Sequence, residues 1–505
     1  MKSSATSEQV KPGYLRPPDY TEVANANLFS SMYEQQLRWS KALGWMVWTG
    51  KQWLQSDAAA MGLVKEFTNF QISDAQNYAR ESPFETNGSI SSDAKNYLRF
   101  SNKMRSNSSV KSILELSKPD LLIEANEFDQ RYFLLNTPSG VIDLRNGSIR
   151  DHSPTLFCSM ITRAEYAIPS EDERSMWQSF LDTICTKTSE GDQLNLEESV
   201  IDREMQLYLQ KSVGSCIIGK VFTEGIQIAI GSGRNGKSTF YNAVSKVLGE
   251  YAGSIDINVM TTERMNKGAA KATLRGKRLI TCSELEEGQR LSTQTLKQLA
   301  STDPLTIEAK YKDPETIDPT HHIVMMSNHL PRVGSVEDGT WRRITLIPFE
   351  NTIPPGNERP NYADTLFRDA GKAILFWAVE GARMFMADGC KLTQPESISK
   401  ATKEYRSQED WLQEYLDERC EISPSHSIYV GELHEDYRRY CETAGAWPRS
   451  RQEFNRALER KGFEKKKVRS HKTIWLGISI QGRAPDYAFR KMDESEWQQP
   501  GVPIS

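Results

Sequence analysis

The feature that most constrains this chain is an octapeptide of glycines, a lysine and a serine between a strand-like and a helix-like segment. Residues 225–230 alternate apolar and polar side chains, as a buried strand does, and GSGRNGKS follows at 231–238. Phe240 and Val244 then recur at helical spacing before Gly249. The octapeptide fits G-x-x-x-x-G-K-[ST] and predicts a phosphate-binding loop in an α/β sheet; a purely structural glycine turn is the alternative.

In such a loop, backbone N–H groups surround a phosphate chain, and the start of the following helix favours negative charge. We expect Lys237 to reach the β- and γ-phosphates of ATP and the Ser238 hydroxyl to ligate Mg²⁺. ATP and Mg²⁺ are therefore the predicted cofactors. The other predicted nucleotide-binding positions are Gly231, Gly233, Asn235, Gly236 and Thr239.

Hydrolysis also needs a carboxylate for the metal ion and the attacking water. The apolar segment 279–282 predicts a strand that leads to Glu284, with Glu286 behind it. Glu284 is the first candidate for the metal, but which glutamate activates water stays open, and a solvated acidic loop is the alternative. A further predicted strand, 322–326, leads to Asn328, which would sense the γ-phosphate or orient water, or else form an ordinary turn.

Two adjacent arginines, Arg342 and Arg343, stand at the head of another predicted strand. Because successive strand residues face opposite ways, we expect them to have different roles. One is a candidate arginine finger that neutralises charge on the phosphates of a neighbouring subunit. A surface ion pair is the alternative.

Two basic regions are candidates for nucleic-acid binding. Lys310, Tyr311 and Lys312 occupy the tip of a predicted hairpin, where lysines beside an aromatic ring suit a phosphate backbone and a stacked base, although exposed hairpins often carry lysine. Residues 449–472 contain ten basic and three acidic side chains within a chain of net charge -4. Such an asymmetry is typical of polyanion binding.

The C-terminal region resembles a winged helix, the helix-turn-helix variant with a β-wing. The predicted elements are three helices, a basic turn and two short strands, at 411–416, 433–440, 454–463, 464–470, 474–476 and 477–480. Its candidate DNA-binding residues are Arg456, Lys465, Lys466 and Lys467. A basic solvated helix in an interaction domain is the alternative.

Composition excludes several other classes of protein. The 505 residues leave room for about three domains, and 38% hydrophobic with 26% charged residues is typical of soluble globular proteins. No charge-free apolar run reaches the roughly 18 residues of a membrane span, and the N-terminus lacks an apolar signal core. The seven cysteines lie at least 21 residues apart. We expect a cytoplasmic protein with reduced thiols, no membrane association and no CxxC zinc site.

The expected fold is multidomain, with an N-terminal α+β domain, a central α/β P-loop domain of AAA+-like type and a C-terminal winged helix. The predicted parts are a flexible lead-in, the N-terminal domain, the ATPase domain, a helical connector, the winged helix and a tail, at 1–20, 21–205, 206–355, 356–404, 405–482 and 483–505. Trp45, Trp48 and Trp53 predict an aromatic core, with a base-stacking platform as the alternative. Asn146 and Gly147 predict a two-residue hairpin.

In this order, the motifs resemble the superfamily 3 helicases, specifically the poxvirus-like primase-helicase group of bacteriophages and plasmids. Four segments match the helicase motifs: the phosphate loop, the acidic strand, the Asn328 strand and the arginine pair, at 231–239, 279–287, 323–331 and 341–343. The resemblance extends upstream to 134–144 and downstream to 475–478. The resemblance implies a usually hexameric ring that translocates on single-stranded DNA, typically 3′ to 5′, with Lys310 and Lys312 on channel hairpins. It also implies forked DNA, replication-origin DNA and a primase or polymerase as partners, in the cytoplasm of a bacterial host.

Many members of this group carry a primase module before the helicase. This chain has little room for one, and no Asp-x-Asp pair for two-metal nucleotide transfer occurs in it. We therefore expect a replicative DNA helicase of a phage, prophage or plasmid that hydrolyses ATP and has no primase activity. The alternatives are an origin-binding initiator that uses ATP as an assembly switch, and a small-molecule P-loop kinase.

Overall fold

The computed structural model describes residues 12–82, 91–187, 200–261, 273–283, 289–307, 315–333, 338–354, 356, 358–443, 448–468 and 472–482. The chain folds as two compact units. Met1–Pro331 and Arg342–Thr402 form the larger unit, and Arg332–Trp341 and Lys403–Ser505 form the smaller one.

The N-terminal part of the larger unit combines helices with a small antiparallel sheet. Its elements are α1 (Glu22–Tyr33), β1 (Leu37–Ser40), β2 (Gly44–Trp48), β3 (Trp53–Gln55), α2 (Asp57–Glu81), α3 (Ser92–Met104) and α4 (Asn107–Ser117). Each helix follows a Ser or Thr whose side chain accepts a hydrogen bond from a backbone N–H three residues on: Thr21, Ser56, Ser91 and Ser106. Trp45 and Trp53 are buried in apolar clusters, which favours the interpretation as core.

The next segment is an antiparallel meander followed by two helices that flank a short strand pair. The elements are β4 (Leu134–Thr137), β5 (Gly140–Asp143), β6 (Ser148–Arg150), α5 (Glu171–Ile184), β7 (Thr186–Lys187), β8 (Val200–Ile201) and α6 (Arg203–Ile217). The predicted two-residue hairpin is wrong, because Asp143 pairs with Ser148 and four residues connect β5 to β6. The Asp143 carbonyl accepts hydrogen bonds from the backbone N–H groups of both Asn146 and Gly147, which closes a wider turn.

A five-stranded parallel sheet forms the centre of the larger unit. The elements from here to the last strand of the sheet are β9 (Ile226–Ile230), α7 (Lys237–Leu248), β10 (Ala252–Ile255), β11 (Leu279–Cys282), α8 (Thr293–Leu299), β12 (Leu305–Ile307), β13 (Glu315–Ile317), β14 (His322–Ser327), α9 (Asp338–Trp341, in the smaller unit) and β15 (Ile344–Pro348). The strand order is β10-β11-β14-β9-β15, and β12 pairs with β13 as an antiparallel hairpin. Because the five strands run the same way, the carboxyl ends of β9, β14 and β11 share one edge, where α/β sheets bind ligands.

Two further helices follow, α10 (Tyr362–Ala387) and α11 (Glu396–Gln408). α10 packs against α5, α6 and α7, and their apolar side chains share one core with the sheet. α6 and α10 cross at two glycines: a Cβ on Gly214 would overlap the backbone of Gly381. The close approach of the two helix backbones therefore depends on glycine at this crossing.

From α12 onward, the described residues of the smaller unit form three helices and a three-stranded antiparallel sheet. In chain order they are α12 (Trp411–Arg419), β16 (Cys420–Tyr429), α13 (Val430–Thr443), α14 (Arg451–Arg460), β17 (Lys465–Lys467) and β18 (Thr473–Ile480), with the strand order β16-β18-β17. The three predicted helices are confirmed. The predicted basic turn is wrong in part, because Lys465 pairs with Trp475 and the three lysines form an exposed edge strand, a position that tolerates lysine. The two predicted short strands are one strand, and β16 was not predicted.

None of the described helices is long and apolar enough to cross a membrane. The seven cysteines, all within the described ranges, are free thiols. Among the described residues, no three His, Cys, Asp or Glu side chains are grouped so that they could hold a metal ion.

Candidate nucleotide-binding site

The loop between β9 and α7 is a tight turn with several positive φ angles. Gly233, Arg234 and Gly236 have positive φ angles of 98°, 50° and 79°, and α7 begins immediately afterwards at Lys237. A Cβ on Gly233 would meet no heavy atom within 4 Å, whereas a Cβ on Gly236 would overlap the Ile184 side chain of α5. Glycine is thus favoured at position 233 by the backbone alone, and at position 236 by the backbone and by packing.

The start of the loop accommodates a buried amide. A Cβ on Gly231 would overlap the side chain of Asn235, which is itself buried. Asn235 Oδ1 accepts a hydrogen bond from the backbone N–H of Lys237 at 3.4 Å, while its Nδ2 has no hydrogen-bond partner in the described part of the chain. A buried donor of this kind normally binds an acceptor, so this part of the loop is suited to a ligand oxygen.

The lysine of the octapeptide forms a hydrogen bond with the asparagine that follows β14. Lys237 is only 3% exposed, and its ammonium group donates hydrogen bonds to the Gly231 carbonyl at 3.2 Å and to Asn328 Oδ1. Asn328 directly follows Ser327, the last residue of β14, which pairs with Ile230 at the end of β9. The sheet register therefore brings the two predicted site residues together, although they are 91 positions apart in the sequence.

The remaining predicted nucleotide-site residues lie around this contact or outside the described residues. Ser238 is exposed on the first turn of α7, next to the half-buried Thr239. β11 ends at Cys282, which pairs with Met325, so the chain leaves β11 at the same edge of the sheet as Asn328. Glu284 and Glu286 fall in the segment that follows, and they lie outside the described residues together with Lys310, Tyr311 and Lys312.

The two arginines lie at the amino ends of the strands, opposite the carboxyl ends that carry the loop. Both precede β15 in a turn, and the Arg343 carbonyl accepts a hydrogen bond from the N–H of Ile226, the first residue of β9. Since β9 is five residues long, roughly 16 Å of strand separates them from the phosphate loop. The expected alternation of the two side chains does not apply in the turn, because both reach Glu224 Oε2: Arg343 at 2.5 Å and Arg342 at 3.4 Å.

The two arginines nevertheless differ in exposure. The Arg343 side chain is 11% exposed, and that of Arg342 is 67% exposed. The Arg343–Glu224 ion pair is partly buried and stabilises the start of β9, whereas the Arg342 side chain is exposed at the surface. Of the two, Arg342 is the side chain that a neighbouring molecule can reach.

The C-terminal candidates lie in the smaller unit. Arg456 is exposed on α14, and Lys465, Lys466 and Lys467 are exposed on the edge strand β17. Lys465 pairs with Glu459 at 2.7 Å and lies 4.7 Å from the centre of the Trp475 ring. Its charge is therefore partly compensated, while Lys466 and Lys467 extend the basic edge.

Two residues around the site were not predicted from the sequence: Ile184, which packs behind the loop, and Glu224, the partner of both arginines. Neither is part of a motif. Glu224 lies two residues before β9, the strand that leads into the loop, but only the parallel pairing of β9 with β15 makes it a neighbour of the arginines.

A buried histidine lies at the amino end of β14. His321 immediately precedes β14 and is buried, with Nε2 3.3 Å from the Leu299 carbonyl and no hydrogen-bond partner for Nδ1 in the described part of the chain. Burial lowers the pKa of His321 to about 4, against a smaller opposing effect of the Leu299 hydrogen bond. The ring is therefore neutral near pH 7.

Two segments of the chain match known protein families. Residues 26–186 match the family described as "D5 N terminal like". Residues 229–343, which contain the phosphate loop, Asn328 and both arginines, match a family of unknown function (DUF5906).

Several viral proteins are similar to longer stretches of the chain. A protein named "Putative helicase" from Acanthamoeba polyphaga mimivirus is 24% identical over 402 residues, covering 74% of this chain and 40% of that protein. One of the same name from Frog virus 3 is 23% identical and covers 41% of this chain and 23% of that protein. A "Putative primase" from African swine fever virus is 24% identical and covers 49% of this chain and 27% of that protein.

This chain thus spans two fifths or less of the length of these relatives. Among solved structures, the apo structure of the NrS-1 C terminal region is 11% identical, covers 66% of this chain and 88% of that chain, and superposes with a TM-score of 0.37. That likeness is too distant to inform function. By its sequence, the chain is a distant homologue of viral proteins that carry helicase and primase names.

Proposed function

We propose that the chain is an ATP-dependent replicative DNA helicase of superfamily 3 from a phage, prophage or plasmid, acting in the cytoplasm of a bacterial host. The observation that carries this proposal is the contact between Lys237 and Asn328 at the ligand-binding edge of a parallel sheet. It joins the lysine of the octapeptide to the amide that follows the adjacent strand, and β11 ends at the same edge of the sheet. The helicase names of the viral relatives support the assignment.

The residues of the loop fit a nucleoside triphosphate with Mg²⁺. Among the residues that the structure describes, the buried Asn235 Nδ2 has no acceptor, Ser238 is exposed, and residues with positive φ lie directly before the start of α7. ATP would be held by the loop from Gly231 to Thr239, and Mg²⁺ by Ser238 together with a glutamate, for which Glu284 is the first candidate. When bound, the metal ion supplies charge neutralisation on the phosphate oxygens.

The protein's own residues then prepare the reaction. Lys237 is already held by the Gly231 carbonyl and by Asn328, so little side-chain entropy is lost when the ammonium group contacts the phosphates. Asn328 orients the attacking water beside the γ-phosphate. Either Glu284 or Glu286 accepts the proton of that water, and the other remains with the metal.

The position of the arginines supports an assembly with shared sites. Arg342 is exposed at the edge of the sheet opposite its own phosphate loop, so it serves the site of a neighbouring subunit rather than its own. A head-to-tail contact of this kind closes into a ring, for which six subunits are proposed. Lys310, Tyr311 and Lys312 would then line the channel and move single-stranded DNA, in the 3′ to 5′ direction that the family likeness implies.

The smaller unit has the element order of a winged helix: helix, strand, two helices and two strands. We propose that it binds DNA through Arg456, Lys465, Lys466 and Lys467. Forked DNA is then the substrate of the whole protein, and replication-origin DNA and a primase or polymerase are its further partners.

The test is the steady-state ATPase rate with and without single-stranded DNA. We expect DNA to stimulate hydrolysis, Lys237→Ala to abolish it, and the matched variant Lys246→Ala, a surface lysine of the same helix paired with Asp364, to leave it unchanged. Arg342→Ala should be inactive alone but regain activity when mixed with Lys237→Ala subunits, while Arg343→Ala should mainly lose stability.

Hydrolysis that ignores DNA would contradict the translocase. Sequence-specific duplex binding without unwinding would favour an origin-binding initiator, and phosphate transfer to a metabolite would favour a kinase. Because some relatives carry primase names, template-dependent nucleotide incorporation is measured on the same preparation; we expect none, and incorporation would overturn the assignment of helicase without primase.

A further inference from the structure

A row of exposed cations follows one face of α3 and continues onto the start of α4. Residues 94–114 contain five basic side chains and no acidic one, within a chain of net charge -4. All five are exposed: Lys95, Arg99, Lys103, Arg105 and Lys111. We call this surface the α3–α4 basic face. It lies within residues 26–186, outside both the phosphate loop and the smaller unit.

The spacing along α3 places three of these cations in line. The helix turns its apolar side chains into the core, and Lys95, Arg99 and Lys103 recur every four residues on the exposed side. Each step of four residues advances about 6 Å along the helix, so the row is about 12 Å long. Phosphates of one strand follow about every 3.4 Å along a duplex axis, so this row has room for about three of them.

The five cations form no ion pair within the part of the chain that the structure describes. The carboxylates that border the face have other partners. Asp93 pairs with Arg16, Glu115 pairs with Lys118 at 2.7 Å, and Glu22 accepts hydrogen bonds from serine hydroxyls of α4. The positive charge of the face is therefore available to a ligand.

The row also differs from an ordinary solvated helix face. Such faces commonly pair a cation with a carboxylate one turn away, as α10 pairs Arg383 with Glu380. On α3, Lys95 and Lys103 instead lie four residues from Arg99, a spacing at which like charges repel and weaken a helix. A bound polyanion would relieve this repulsion, so the arrangement favours binding over a purely structural role.

The start of α4 adds a second feature that favours negative charge. Arg105 directly precedes Ser106, the N-cap of α4, and Lys111 lies one turn into the helix. The first turn of α4 contains no acidic residue, whereas the first turns of α1, α2 and α3 each contain one. The dipole of this helix end therefore acts on an anion together with the two cations.

The α3–α4 basic face offers charge but no surface for base stacking. The aromatic residues of the two helices are Tyr97 and Phe100, which are only 0% and 6% exposed. Non-specific binding of single strands combines cations with exposed rings on which bases stack. Cations alone match a duplex, whose phosphates face outward while its bases face inward.

We propose that the α3–α4 basic face binds the phosphate backbone of double-stranded DNA. Lys95, Arg99 and Lys103 contact phosphates of one strand, and Arg105 and Lys111 extend the contact around the start of α4. This gives the N-terminal part of the chain a duplex-holding role that needs neither the phosphate loop nor the smaller unit. The duplex site therefore goes beyond the proposed helicase activity and does not depend on it.

The expected effect follows from counterion release. Each phosphate contact contributes about 0.9 to the slope of log affinity against log salt, so losing one contact at about 0.1 M salt lowers affinity roughly eightfold. Arg99→Ala removes the central cation of the row, and alanine on an exposed helix face preserves the helix. The matched control is Lys65→Ala, which removes an exposed lysine from α2, outside the face.

The experiment labels the full chain with an amine-reactive reagent, without nucleotide, during a titration with a short duplex of mixed sequence. Mass spectrometry quantifies the labelling of each lysine, so the face is measured separately from the smaller unit. We expect the duplex to protect Lys95 and Lys103 but not Lys65. The duplex concentration at half-protection should rise roughly eightfold in Arg99→Ala and stay unchanged in Lys65→Ala.

Labelling of Lys95 and Lys103 that the duplex leaves unchanged would overturn the proposal, as would an unshifted half-protection in Arg99→Ala. Equal protection by one single strand of the duplex, or by polyglutamate, would assign the face to another polyanion and would also overturn it. If the duplex protects the face while ATP hydrolysis ignores DNA, the duplex site stands and the helicase assignment fails.

Discussion

Gly236→Ala is a direct test of how the phosphate loop is built. The residue has a φ of 79°, and a left-handed backbone costs an alanine about 1–2 kcal/mol. Its Cβ would also overlap the Ile184 side chain, and forced overlap in a packed core costs about 1–3 kcal/mol more. We therefore expect the free energy of unfolding of the larger unit to fall by about 2–5 kcal/mol.

Gly233→Ala is the matched control, because its φ is 98° but its Cβ would meet no heavy atom within 4 Å. It should cost only the backbone component, about 1–2 kcal/mol. Urea unfolding followed by tryptophan fluorescence measures both variants, and Gly236→Ala is repeated in an Ile184→Ala background to isolate the overlap. Equal losses for the two glycine variants, or no coupling between positions 184 and 236, would refute the reasoning.

The remaining predictions concern the site, the buried histidine and the helix crossing. Asn328→Ala should lower kcat by about 10²-fold, because the water loses its orienting amide, and should change the Kd for ATP less than tenfold; steady-state and equilibrium binding measurements check this. Burial lowers the pKa of His321 from 6.5 to about 4, so between these pH values the unfolded state binds more protons than the folded state. The free energy of unfolding should therefore fall as the pH drops through this range, by at most on the order of 3 kcal/mol. The urea midpoints at pH 7 and pH 5 should differ less in His321→Asn than in the parent protein. Gly214→Ala should destabilise the larger unit by about 1–3 kcal/mol, because its Cβ would overlap the backbone of α10. Gly371→Ala, whose Cβ would have no contact closer than 3.6 Å, should instead stabilise the unit by up to about 1 kcal/mol. Thermal melting compares the two variants, and equal shifts in Tm would contradict the close helix crossing.

Local patterns predicted the elements around the proposed nucleotide site. The alternation before the octapeptide predicted β9, the helical spacing after it predicted α7, and the apolar runs predicted β11 and β14. These elements are set by neighbouring residues, so a single sequence contains the information. The order of the strands is not local: β14 lies between β9 and β11, and only this order brings Asn328 against Lys237.

The wrong predictions also have local causes. Three consecutive lysines indicated a turn, yet pairing with β18 on an exposed edge makes them a strand. Asn146 and Gly147 indicated a two-residue turn, yet the Asp143 carbonyl closes a longer one. The arginine pair was assigned to a strand by its apolar neighbours, but both residues precede it, which is why both reach Glu224. In each case a partner distant in sequence or a backbone hydrogen bond outweighed the local pattern.

Strand displacement on a labelled fork by the full chain with ATP and Mg²⁺ shows whether the protein is a helicase. Forks with only a 3′ or only a 5′ single-stranded tail are compared, with Lys237→Ala as the inactive control and Lys246→Ala as the matched active one. We expect ATP-dependent displacement on the 3′-tailed fork, which Lys237→Ala abolishes and Lys246→Ala retains. Binding of the fork and hydrolysis of ATP without displacement on either substrate would contradict it.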